Sequence, residues 1–160
     1  QKIDSACDYV IITHDSLYFK DSGKAAIDSL AAHRAAFNGF DVAIITTQTI
    51  KDDILPAYLD EYEKILKLID NTYNYHNANH TFDGKLAYVN LFGDAFFDDS
   101  TDCVPTHLEG YDVYFTQLTY DSIAGEYDPY PDIMIGRCSV DTVTQVQNVV
   151  HKILNFESIC

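Results

Sequence analysis

Positive charge is what this sequence has least of: 10 Lys and Arg stand against 25 Asp and Glu, giving a formal net charge of −15. Phosphate backbones and anionic headgroups are held by clustered Lys and Arg, so this balance argues against nucleic acid and against a membrane surface. The deficit is also local. No Lys or Arg occurs between Lys85 and Arg137, while that interval holds ten carboxylates from Asp94 to Asp132. Cations are its natural partners. Long apolar runs are missing too: nothing approaches the roughly 18 to 20 residues of a membrane span, and the start, QKIDSACDYV, lacks a signal-peptide core. Cys7, Cys103, Cys138 and Cys160 show no C-x-x-C spacing, which argues against a zinc site or a thioredoxin-like pair. Without a repeat, a low-complexity tract or a Gly/Ser linker, nothing divides the chain. One soluble domain over residues 1–160 is the expectation.

What is present is enough apolar residue, 47% of 160, to bury a sizeable core. DYVIITHDS is a short β-branched run, and it predicts a strand at Tyr9 to Thr13 buried on both faces. From Gly23 the period changes. Ile27, Leu30, Ala31, Arg34 and Phe37 share one helical face, and Gly39 supplies a left-handed stop. DVAIITT repeats the buried-strand pattern, and Ile54, Tyr58, Tyr62, Ile65, Leu66, Ile69 and Tyr73 predict a helix over Asp52 to Tyr75, with Pro56 in its first turns.

KLAYVNLFG is a third strand reaching Gly93-Asp94, and DIMIGR is the last. Between them lies a long excursion with one strand-like stretch, YDVYFTQL; such a long loop in a compact domain is usually functional or metal-bound. Asp141 is the expected cap of a final helix whose apolar stripe is Val143, Val146, Val149, Val150, Ile153 and Leu154. Strands alternating with helices imply right-handed crossovers. The fold class is therefore α/β: a three-layer α/β/α sandwich on a mainly parallel, open sheet.

In such sheets ligands bind beyond the carboxyl ends of the strands. Here those ends carry His14 and Asp15, then Asp94, then Arg137 and Cys138. His14 and Cys138 are candidates for a Cys-His dyad, set against a packed or disulfide-bonded cysteine. Asp94, Asp98, Asp99 and Asp102 fall within nine residues, a density of hard oxygen ligands that suits Ca²⁺, although EF-hand spacing is absent. A solvated acidic loop is the plainer reading. Asp121, Glu126, Asp128 and Asp132 form a weaker acidic set. His76 and His80 have metal-pair spacing, but Asn77 and Asn79 favour a surface loop. The topology also suggests two disulfides, Cys7 to Cys160 and Cys103 to Cys138, against free buried thiols.

YPDIMIGRCSV, followed by a capped helix ending in KILNFE, resembles the gingipain-like cysteine peptidases. DYVIITHDSL, AFNGFDVAIITT and LAYVNLFGDA are similar to segments of that family in the same order. The Gly-Asp pair followed about forty residues later by Pro-Asp-x-x-x-Gly-Arg is the most specific feature. The resemblance implies a flavodoxin-like or caspase-like sheet and the first, noncatalytic of two side-by-side subdomains. The family's catalytic His, followed by Gly, and its nucleophilic Cys belong to the second, caspase-like subdomain. This chain contains no His-Gly pair.

The implied role is to support that catalytic half, which would bind the protein or peptide substrate, in a secreted or cell-surface enzyme with calcium as its cofactor. Two rival readings stand beside it. One is a noncatalytic module of the same fold that holds a cation or a partner. The other is a receiver-like domain using Asp15 and Asp94 with Mg²⁺, against which stands the absence of Lys between Lys85 and Lys152.

Overall fold

The computed structural model describes residues 6–53, 59–75, 84–95, 104–106, 112–118, 120–121, 126–127 and 130–159. Four strands, β1 (Tyr9–Thr13), β2 (Val42–Thr46), β3 (Tyr88–Phe92) and β6 (Met134–Cys138), form one sheet in the order β2-β1-β3-β6. Every pairing in it is parallel. A separate antiparallel pair joins β4 (Tyr120–Asp121) and β5 (Glu126–Tyr127).

Alternate residues of a strand point to opposite faces, so β1 feeds two cores. Val10 and Ile12 point into one with Ile65 and Ile69 of α4 (Glu61–Tyr73), while Ile11 lies in the other with Ile27 and Leu30 of α2 (Asp21–His33) and Val146 and Val150 of α5 (Val143–Glu157). This is the expected three-layer sandwich, and the strand at Tyr9–Thr13 is buried along its whole length. Fully burying one such Ile stabilises the fold by about 1.5–3 kcal/mol.

A four-residue helix, α1 (Asp15–Tyr18), precedes α2, and the two meet at Gly23, where a Cβ would fall 1.9 Å from the carbonyl oxygen of Leu17. Glycine is required there by space alone. Gly39 is required by conformation, with φ of 73° closing the helix as expected. The last turn before it, Arg34–Asn38, widens to a π-helix. That change of pitch turns Phe37 off the buried stripe, and it is 59% exposed.

Three of the expected elements need correction. The helix over Asp52 to Tyr75 is two helices, α3 (Thr47–Asp53) and α4, and Pro56 lies outside the described residues. Asp60 starts α4 anew through a capping box with Glu63. The strand-like YDVYFTQL contains a 3₁₀ helix, Asp112–Thr116, because Phe115 must turn into the core beside α4. The cap of α5 is Thr142, which accepts from the N–H of Gln145, whereas Asp141 offers only its backbone N–H to the Gln145 side chain.

Cys7 and Cys138 are free thiols, so neither expected bridge forms. Cys7 packs in the α4-side core and Cys138 against the α2–α5 core; Cys103 and Cys160 lie outside the described residues.

Candidate functional site

The parallel register aligns Thr46, Thr13, Phe92 and Cys138 across the sheet, so the residues that follow them form one carboxyl-end rim. His14 sits on that rim as the cap of α1: its Nδ1 accepts from the N–H of Ser16 at 3.2 Å and lies 2.9 Å from the Ser16 hydroxyl. Asp15 reaches sideways to β2's exit, accepting at one oxygen from the Gln48 N–H (2.8 Å) and the Thr47 hydroxyl (3.2 Å). One oxygen of its carboxylate thus holds the start of α3.

Cys138 donates to the Asn90 side-chain oxygen at 3.7 Å, and Asn90 in turn donates to the Tyr9 hydroxyl at 3.0 Å. The dyad with His14 does not form, because two strand spacings separate β1 from β6. Burial pushes the Cys138 thiol up, and burial followed by the charge of Asp8 pushes Cys7 up to about 11. Both stay protonated at neutral pH, the opposite of a nucleophile's need.

The densest polar construction on the rim centres on Arg137. Its Nε and Nη2 each donate to one oxygen of Asp112 at 2.7 Å, and its Nη1 donates to the carbonyls of Gly93 (2.9 Å) and Val104 (2.8 Å). Burial alone would raise the Asp112 carboxyl, but the hydrogen bonds and charge of Arg137 outweigh it and hold it below the ordinary carboxylate value. Gly93, at φ 151°, lets Val104 approach: a Cβ there would sit 2.8 Å from the Val104 side chain. Asp132 completes the arrangement. It accepts at Oδ2 from the Leu118 N–H (2.8 Å), while its own N–H donates to the Thr116 carbonyl (2.8 Å).

Gly93-Asp94 and Pro131-Asp132-x-x-x-Gly136-Arg137 are therefore two halves of one contact, which ties the excursion after β3 to the sheet. Asp112 is the member that sequence reasoning missed, since a strand was expected around it. Its only signal was to be one of the ten carboxylates in the interval that Arg137 closes.

Of the four carboxylates proposed for a cation, Asp94 is described: its Oδ1 accepts from the Ala95 N–H at 3.2 Å. Asp98, Asp99 and Asp102 lie outside the described residues, as do His76, His80 and Asp128. Among the described residues no three His, Cys, Asp or Glu side chains gather as a metal site. No helix among them is long and apolar enough to cross a membrane.

The described residues form a groove of about 420 Å³ between Tyr62, Leu66, Asp70 of α4 and Tyr114, Leu118, and a notch of about 280 Å³ beside β6. Neither holds a base beside a nucleophile.

A family model described as peptidase family C25 matches residues 2–159. Among solved structures the chain is similar to dimeric latent PorU from Porphyromonas gingivalis, with a TM-score of 0.67 and 16% identity. The match covers 94% of this chain and 15% of that one, so the chain spans about a seventh of that relative's length. No curated protein matches it.

Proposed function

The chain belongs to peptidase family C25, the gingipain family, and from that premise we propose that it is the supporting subdomain of a secreted or surface-held cysteine endopeptidase. It carries no catalytic residue of its own. The nucleophilic Cys and its His would come from a second, caspase-like subdomain, where the thiolate attacks the peptide carbonyl and the imidazole moves the proton.

The observation that carries this reading is the state of the two described thiols. Cys7 and Cys138 are both shifted toward the protonated form, and the polar partner of Cys138 is an amide. The role left to the domain is mechanical: the Arg137 clamp fixes the rim of a rigid sheet against which a catalytic half can be positioned.

Calcium belongs to the same proposal. Asp94 commits Oδ1 to its own loop, and with Asp98, Asp99 and Asp102 it offers the hard, closely spaced oxygens that Ca²⁺ accepts. Titration calorimetry with CaCl₂ on the wild type and on Asp98→Asn/Asp99→Asn tests it. Equal heats from both would remove calcium from the reading.

The functional test compares this chain with the complete polypeptide on a peptide substrate under reducing conditions. The expected result is turnover only in the latter, unaffected by Cys7→Ser or Cys138→Ser. Turnover by the 160-residue chain that Cys138→Ser abolishes would overturn the proposal. A complete polypeptide that is inert and carries no Cys beyond these four would favour the noncatalytic binding module.

A further inference from the structure

Among the described residues the sheet ends at β6. The Met134 N–H donates to the Ala87 carbonyl (2.8 Å) and the Cys138 carbonyl accepts from Gly93 (3.1 Å), so the even-numbered residues of β6 turn their backbone groups toward β3. In a parallel ladder the alternate residues face the other way. The N–H and C=O groups of Ile135 and Arg137 therefore point outward, and no described residue meets them.

Proteins that keep such an edge in water blunt it with Lys, Pro or a bulge. MIGRC has none of these, and its one charge, on Arg137, is folded under the sheet to Asp112 with 9% of the side chain exposed. Met134 is instead 68% exposed. A Cβ on Gly136 would meet nothing within 4 Å, and there the 280 Å³ notch opens between Tyr88, Asn90 and Cys138. An open ladder next to an apolar side chain and a socket is the form of a surface that receives a strand.

We propose that the outer edge of β6 pairs with a strand of the catalytic subdomain in the same polypeptide, whose side chain fills the notch; this rests on the supporting-subdomain reading. Two observations select that occupant. A net charge of −15 on each copy opposes self-association. The fold also occurs as 15% of a much longer similar chain, so a tethered partner at high effective concentration is at hand.

Amide hydrogen exchange, read by mass spectrometry on this chain and on the complete polypeptide, tests the pairing. The N–H groups of Gly136 and Cys138 should be protected in both, and those of Ile135 and Arg137 only in the complete polypeptide. Open Ile135 and Arg137 amides in both would overturn the proposal. So would protection of them in the 160-residue chain, whether by its own excursion or by a second copy. Met134→Lys, made on an exposed side chain, should leave the circular dichroism of this chain unchanged. In the complete polypeptide it should speed exchange at the two outward amides on the order of tenfold. Turnover with open amides sinks the docking edge alone, and protected amides without turnover sink the peptidase reading alone.

Discussion

Arg137 and Asp112, 25 positions apart in the chain, lock in a two-pronged ion pair whose contacts are both 2.7 Å. Because the same guanidinium also holds the carbonyls of Gly93 and Val104, its removal strands several polar groups at once. Arg137→Met should destabilise the domain by about 3 kcal/mol, Asp112→Asn by less, and Arg137→Lys nearly as much as Met because the fork is lost. Urea unfolding monitored by circular dichroism measures all three.

The same pair sets a pH dependence. Asp112 is held below its ordinary value of 3.8, so its contribution is fully present above about pH 4 and is lost as the pH falls through the lowered value. Glu157 behaves alike, held down first by Arg34, which it meets at 2.8 Å, and next by His33. Melting temperature should therefore fall steeply below pH 4 in the wild type, and Asp112→Asn should flatten that slope. A parallel slope in the variant would sink this account.

At the alkaline end the sign reverses. Raised thiols stabilise below their unfolded value of 9.0 and cease to do so as the pH climbs toward about 11 at Cys7. In the folded domain at pH 7.5, iodoacetamide should label Cys7 and Cys138 many times more slowly than in urea, as read by intact mass.

Caps offer a sharper discrimination. Thr142→Ala should cost about 1 kcal/mol, since it removes the acceptor for the Gln145 N–H, whereas Asp141→Ala should be close to neutral. Equal losses at the two positions would contradict the assignment of Thr142 as the cap.

Gly23→Ala forces a methyl onto the Leu17 carbonyl, and no rotamer can relieve a clash with backbone. Destabilisation of about 2 kcal/mol or more is expected, larger than the roughly 1 kcal/mol at Gly39→Ala, where only the left-handed conformation is at stake. Thermal denaturation ranks the two.

The sheet was legible because β-branched runs such as YVIIT and VAIIT carry their own instruction, and burial on both faces leaves little choice of partner. The excursion was not. VYF has strand propensity, yet Phe115 is drawn into the core beside α4 and the backbone coils to deliver it. Likewise the break between α3 and α4 follows from the Asp60–Glu63 box, which outweighs a continuous apolar period. On the rim, Asp15 and His14 read as chemistry because polar residues ending strands are ambiguous. Their hydrogen bonds to Thr47, Gln48 and Ser16 show them building helix starts.

The order of the strands also governs how the chain can be made. β1 is an interior strand, but its second neighbour, β3, begins at Tyr88, and the layer that includes Leu30 and Phe92 is closed by Val146 and Val150. A nascent chain leaving the ribosome must carry an uncovered apolar face until α5 emerges, so this domain cannot close its core before its final helix is out.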